Sequence, residues 1–339
     1  MRVLIVKTSS LGDVLHTLPA VTDASRSIPD IRFDWVVEEA FAEVPAWHAS
    51  VDRVIPVALR RWKHAPLQVL RHGEPQAAVR QLRQCGYDRV IDAQGLLKSA
   101  MIARFARGPR YGLDAASARE PLAARSYNRR FAIARQQHAV ARVRQLFAQA
   151  LQYELPDGLP DYGVRQRFPV ERQQQSLVFL HGTTWLTKHW PEAYWTQLAG
   201  LAVAAGFQVK LPWGNVTEKQ RAEKIAAMHE GVDVLPRMLL GELAGVIAAA
   251  RGVVGVDTGL VHLAAALGTP CVTLYGATDP GLIGTVGASQ MHLRASFPCA
   301  PCQQRKCHYR GAAEVFPACY AGLPPARVWQ ALDAALSDA

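Results

Sequence analysis

Short β-branched apolar runs alternate with helix-length amphipathic stretches twice along this chain. That alternation limits the fold more than any other feature. The first series has strand-like runs at 2–6 (Arg-Val-Leu-Ile-Val), 33–38, 53–57 and 89–93. Helical spacing separates them, beginning at Asp13 and recurring over 67–85, after Gly95 and over 138–152. Residues 153–175 break the pattern with Pro156, Asp157, Gly158, Pro160, Gly163 and a Gln-rich run, a composition that predicts an interdomain linker and an edge segment. The alternation restarts with strands at 177–182, 208–213, 232–235, 252–257 and 271–276, and helices at 191–205, 217–229, 241–250 and 258–267. Strands separated by single helices predict right-handed βαβ units and parallel sheets. The fold class is therefore α/β: two doubly wound, Rossmann-like domains, 1–160 and 161–325, facing one another across a cleft. A last helical stretch within 326–339 is expected to cross back to the first domain. In open α/β sheets ligands bind beyond the carboxyl ends of the strands, so the informative residues should lie just after strands.

Composition narrows the class further. At 339 residues and 50% hydrophobic, the chain has enough apolar surface for about two domains and is not disordered. Its apolar stretches, such as Leu243 to Ala250, fall short of the roughly 18 residues of a membrane helix. Met1-Arg2 leads into a strand rather than a signal peptide, which makes the cytosol the expected compartment and reduced thiols the expected state of its six Cys. The net charge of +10 points to an anionic partner: nucleic acid, a membrane surface or a phosphorylated small molecule.

Four post-strand segments carry chemistry. Lys7-Thr-Ser-Ser-Leu-Gly-Asp13 lacks the second Gly and the Gly-Lys-Ser/Thr ending of a P-loop and the Gly-x-Gly of a dinucleotide turn. It offers one carboxylate, Asp13, suited either to capping the following helix or to general-base chemistry. Asp257-Thr258-Gly259-Leu260-Val-His262 opens a helix of small residues, where free amides and a hydroxyl suit a diphosphate. Capping by Asp257 and Thr258, with His262 packed inside, is the alternative there. His181-Gly-Thr183-Thr184-Trp-Leu-Thr-Lys188 places two hydroxyls and a cation after a strand, and Glu218 follows Pro212-Trp-Gly with a carboxylate suited to a ribose diol.

These segments, with Asp279-Pro-Gly281, resemble the heptosyltransferases of glycosyltransferase family 9. The resemblance runs through the opening Met1 to Ala20, Phe33-Asp-Trp-Val-Val-Glu38, Arg60-Arg61-Trp62, Val90-Ile-Asp-Ala-Gln-Gly95 and Ala118-Arg-Glu-Pro-Leu122. It resumes at Lys188-His-Trp-Pro-Glu192, Val256-Asp-Thr-Gly-Leu260 and Tyr275 to Gly284, so that it spans residues 1 to about 295. It implies the GT-B fold and inverting transfer of L-glycero-D-manno-heptose from ADP-heptose to the inner Kdo of Kdo2-lipid A, without a cofactor. Carried onto this chain, Asp13 is the base and Lys188 the diphosphate cation, beside Thr183 and Thr184. Thr258, Gly259 and Leu260 supply diphosphate contacts, Asp257 and His262 polar donor-site groups, and Glu218 the ribose partner. Arg60, Arg61, Lys63 and Arg119 are implied to capture the anionic acceptor, with Asp92 and Gln94 as sugar partners.

The bottom-up chemistry is consistent with these roles. No Asp-x-Asp occurs as a divalent-cation clamp, which favours a metal-independent mechanism with the diphosphate charge met by Lys188 and helix amides. The basic surplus suits a peripheral enzyme on the cytoplasmic face of an anionic inner membrane. A sister activity in the same family, adding to a heptose instead of Kdo, is the alternative; the Arg60-Arg61-Trp62 and Asp92-Ala-Gln94 matches favour the first. Nucleic-acid binding lacks a recognised motif, and a nicotinamide dehydrogenase lacks its glycine turn. Cys299-x2-Cys302-x4-Cys307-x11-Cys319 has a spacing compatible with structural zinc. A disulfide pair or plain thiols fit as well, and the resemblance settles none of the three.

Overall fold

The computed structural model describes residues 1–64, 69 and 72–337. It divides into two units, Met1–Arg167 and Phe168–Ala339. Each is built on one sheet of six parallel strands.

In the first unit β1 (Arg2–Val6), β2 (Arg32–Glu38), β3 (Val51–Val57), β4 (Arg89–Asp92), β5 (Arg110–Leu113) and β6 (Arg129–Phe131) lie in the order β3-β2-β1-β4-β5-β6. This is the doubly wound Rossmann order. β1 is central because Val3, Leu4, Ile5 and Val6 are apolar on both faces, and all four are fully buried between layers of helices. It pairs in parallel with β2, Val3 opposite Phe33, and with β4, Val3 opposite Arg89.

The second unit repeats the plan. β7 (Gln173–Leu180), β8 (Gln208–Leu211), β9 (Val232–Val234), β10 (Ala250–Val256), β11 (Cys271–Tyr275) and β12 (Gln290–Arg294) take the order β12-β11-β10-β7-β8-β9. Gly255 in β10 is a packing requirement: a Cβ there would stand 2.4 Å from Val261 Cγ1. Its absence lets the helix Gly259–Ala266 lie close on the sheet. The core joins Leu177, Phe179, Trp190, Trp195, Val254 and Leu274.

Several expectations are corrected. Residues 173–175 begin β7, which hydrogen-bonds between β10 and β8 at the sheet centre, so this segment is not an edge. Their three Gln are exposed because that end of the strand projects beyond the core, whereas Ser176 to Leu180 are buried. The first unit extends past the expected boundary at 160, to Arg167: Tyr162 and Val164 are buried and Asp161 pairs with Arg26 within it. The final helix, Pro325–Ser337, was expected to cross back; instead it belongs to the second unit. Val328, Leu332, Ala335 and Leu336 enter that unit's core at helical spacing, which uses its apolar face. The helix expected over 67–85 lies partly outside the described residues, and its Glu74–Leu82 portion is helical. Strands β5, β6 and β12 were not anticipated, being short and rich in Arg, Tyr or His.

Candidate functional site

Each sheet reverses its strand order between two central neighbours, β1/β4 in the first unit and β7/β10 in the second. Such switch points open a crevice at the carboxyl ends of the strands. In both units the polar residues gather there.

Beyond β1 the chain turns through Lys7–Ser10 into the helix Leu11–Leu15. The turn is held from β4: the Gln94 side-chain oxygen accepts from Thr8 N at 2.7 Å and Thr8 Oγ1 at 2.8 Å, and its amide donates to the Ser9 carbonyl at 2.9 Å. The Trp35 indole donates to the Lys7 carbonyl. Lys7 is buried and donates to the Ala93 carbonyl at 3.0 Å, and its Nζ stands 3.6 Å from Asp13 Oδ1. Asp13 Oδ2 accepts from both Ser10 N and Ser10 Oγ at 2.8 Å. Asp13 thus braces its helix start with one oxygen while the other faces an ammonium, and its side chain is 45% exposed. Partial desolvation pushes the carboxyl up. The Lys7 charge, the two Ser10 hydrogen bonds and the more distant Arg119 outweigh it and hold the group below its ordinary range. An ionised, accessible carboxylate results.

In the second unit the chain leaves β7 at His181 and passes through Thr183 to the 3-10 turn Leu186–Lys188. Lys188 Nζ lies 2.7 Å from Asp257 Oδ2, at the end of β10. Thr278 Oγ1 donates to the same oxygen, and Thr183 Oγ1 donates to the Asp257 carbonyl at 3.1 Å. The ammonium stands over the Trp185 ring, 4.5 Å from its centroid, a cation–π contact that Arg305 makes on the same ring at 5.4 Å. Tyr320 OH donates to the Lys188 carbonyl at 3.0 Å. Immediately beyond Asp257, Thr258 is the N-cap of the helix Gly259–Ala266, and Thr258, Gly259 and Leu260 are half-exposed. A fixed cation beside open helix amides is suited to an anion. Glu218 lies across the neighbouring strand ends: its carboxylate accepts from Gly214 N at 2.7 Å, and a Cβ on Gly182 would stand 2.7 Å from it.

The structure therefore gathers Thr183, Lys188, Asp257, Thr258, Gly259 and Leu260 in one place, and sets Glu218 beside Gly182 in the same loop region. Thr184 is exposed, and His262 is buried one turn into its helix. In the first unit Arg119 is exposed and close enough to Asp13 to act on its charge. Other expectations fail. Asp92 is fully buried and accepts from Tyr127 OH at 2.7 Å, Gln94 N at 2.9 Å and Gly95 N at 3.2 Å. Burial holds its carboxyl above the ordinary range despite these donors. Gln94 is committed to the Thr8–Ser9 turn. Both brace the unit from within, their hydrogen bonds being made inside it, and the complete burial of Asp92 closes that carboxylate to an incoming sugar. Arg61 clasps Glu39 with two nitrogens and Glu74 with a third. Arg60 lies over the Phe41 ring, and Lys63 is exposed in the same helix, Leu59–His64.

Sequence reasoning missed Lys7, Trp185, Thr278 and Arg305. Lys7 and Trp185 stand inside quoted motifs, but a positive charge or an indole in a motif does not name its partner. Cys299, Cys302, Cys307 and Cys319 do converge, lining a cavity of about 20 Å³ with Thr187 and Ala277. All four are free thiols, and among the described residues no three His, Cys, Asp or Glu side chains are grouped so that they could hold a metal ion. Burial, and then the neighbouring cysteines, push the Cys319 thiol up to about 11.

Comparison with known proteins follows the same lines. Residues 76–313 match the family model described as glycosyltransferase family 9 (heptosyltransferase). The chain is 54% identical to lipopolysaccharide heptosyltransferase 1 of Pseudomonas aeruginosa, over 99% of this chain and 98% of that protein. The solved structure of E. coli heptosyltransferase WaaC with ADP-2-deoxy-2-fluoro heptose aligns with a TM-score of 0.82 at 52% identity, covering 87% of this chain and 94% of that one. Lipopolysaccharide heptosyltransferase 2 of E. coli is more distant, 27% identical over 83% of this chain and 84% of its own. Two doubly wound sheets, polar side chains gathered at their switch points, and identity over nearly the whole length agree: the chain belongs to glycosyltransferase family 9, the heptosyltransferases.

Proposed function

We propose that this enzyme transfers L-glycero-D-manno-heptose from ADP-heptose to the inner Kdo of Kdo2-lipid A, with inversion, in lipopolysaccharide core assembly. The observation that carries the reading is the Lys188–Asp257 pair beside the half-exposed Thr258–Leu260 helix start. As the glycosidic bond to ADP breaks, negative charge grows on the diphosphate. Preorganised donors there stabilise the transition state more than the ground state. Lys188 is already oriented by Asp257 and Trp185, so little reorganisation is needed. Glu218, with its remaining acceptor capacity, is suited to the ribose hydroxyls.

Inversion requires one base to take the proton of the attacking hydroxyl. Asp13 fits that role, since Lys7 keeps it ionised and its side chain is part-exposed to an acceptor. Arg60, Lys63 and Arg119 are the cations for the carboxylates and phosphates of the acceptor. A peripheral position on the cytoplasmic face of the inner membrane belongs to the same reading, with basic residues near an anionic surface each contributing about 1 kcal/mol. Addition to a heptose, the sister activity, is disfavoured by the lower identity to heptosyltransferase 2. The test is to combine purified protein, ADP-heptose and Kdo2-lipid A and to follow the acceptor by mass spectrometry. One added heptose is expected. No addition here, with addition to a heptosylated acceptor, would overturn the choice of acceptor.

A further inference from the structure

The helix Leu97–Phe105 is amphipathic in an unusual sense. Its buried side carries Ser99, Ala100, Ile102 and Ala103, while its outward side exposes three large apolar residues between two cations. At 3.6 residues per turn, Arg104, Leu97, Met101, Phe105 and Lys98 follow one another around an arc of about 120°. All five are exposed, Met101 at 63%. Leu122, 54% exposed, lies on the 3-10 turn Pro121–Ser126, and Ala123 of that turn packs with the following Tyr127 against Ala100 of this helix. Three features separate this face from ordinary scattered surface residues. Its apolar side chains are contiguous, a cation flanks them on each side, and no acidic residue occurs in the helix. The neighbouring Glu120 carboxylate accepts from Leu97 N at 2.6 Å and so is engaged at the helix start.

The geometry points to this face as a docking surface for an anionic lipid bilayer. Leu97, Met101, Phe105 and Leu122 enter the headgroup–acyl boundary while Lys98 and Arg104 remain at the phosphates. Apolar centre, cationic flanks and absent acids are the composition of a helix that lies in a membrane interface. A soluble protein partner would not require cations on both borders. The placement serves the chemistry, and here the inference rests on the lipid-linked acceptor proposed above. The helix starts three residues after Gln94, which holds the Asp13 turn, and Glu120 N donates to the Gly95 carbonyl beside Arg119. A bilayer against this face brings the acceptor's sugar toward the base.

The experiment uses the full chain and vesicles without acceptor, so that it does not depend on activity. Wild type is expected to co-sediment with phosphatidylcholine vesicles containing phosphatidylglycerol, weakly with phosphatidylcholine alone, and less at high salt. Met101→Asp, and separately the double variant Lys98→Glu/Arg104→Glu, should each reduce partitioning about tenfold or more. Their thermal unfolding and their turnover of a water-soluble, deacylated Kdo acceptor should stay unchanged. Equal partitioning of wild type and Met101→Asp would overturn the proposal. So would a wild type that ignores anionic vesicles and instead dimerises through this face. Loss of wild-type turnover on the soluble acceptor with vesicle binding intact would sink the acceptor reading and leave the docking surface standing.

Discussion

At Asp13 two demands compete: a general base must be ionised, yet basic enough to take a proton. The Lys7 ammonium secures the first and limits the second. Removing it with Lys7→Met should raise the Asp13 pKa and move the acid limb of the pH profile of kcat/KM to higher pH; an unmoved limb would show that Lys7 does not act on the base. Asp13→Ala should lower kcat by about 10²–10⁴-fold while ADP-heptose binding, measured by calorimetry, persists. Lys188→Ala removes a charge-assisted contact worth roughly 1.5–3 kcal/mol, so donor affinity should fall by about one to two orders of magnitude. Unchanged affinity would remove Lys188 from the diphosphate site. The placement of Asp13 and Lys188 beyond strand ends was legible in the sequence, because each follows a strand in a recognisable motif. The fates of Asp92 and Gln94 were not. Whether a polar residue meets ligand or protein depends on partners such as Tyr127 and Thr8, distant in sequence.

Among elements, β1–β4 and β7–β11 were readable from apolar, β-branched runs. β5, β6 and β12 were not, since their Arg, Tyr and His content conceals strands that pair late in each sheet. The final helix was readable as a helix from the spacing of Val328, Leu332 and Leu336, but not for its destination. Leu332 is fully buried against the second unit's sheet and helices. Leu332→Ala should cost about 2–5 kcal/mol, read as a lower denaturant midpoint. A change below about 0.5 kcal/mol, the size of an ordinary surface substitution, would mean that the helix is not part of that core.

For the whole molecule, each unit carries a buried histidine that folding keeps neutral. In the first, His48 Nδ1 accepts from Ser50 N at 3.1 Å and its Nε2 lies 3.0 Å from Thr22 Oγ1. Burial, with Arg26 adding to it and Asp161 opposing, lowers its pKa to about 4. In the second, burial and then Arg221 and His189 lower His181 to about 4. Unfolding frees both to protonate near the ordinary 6.5. Their contribution is thus fully present above about pH 6.5, falls as pH drops toward 4, and amounts to at most ~3 kcal/mol each. Denaturation at pH 7 and pH 5 should show the loss, and His48→Gln should flatten it; an equal slope in that variant would exclude His48 as a source. What the sequence by itself determined is the double β/α series and the positions where strands end, because backbone periodicity is local and is written in neighbouring residues. Only the tertiary structure decided which polar groups remain open at those ends. Lys7 meets Ala93, Lys188 meets Asp257 and Asp92 meets Tyr127 across gaps in the chain that no local pattern spans, and it is the closing of the sheets that brings them within reach.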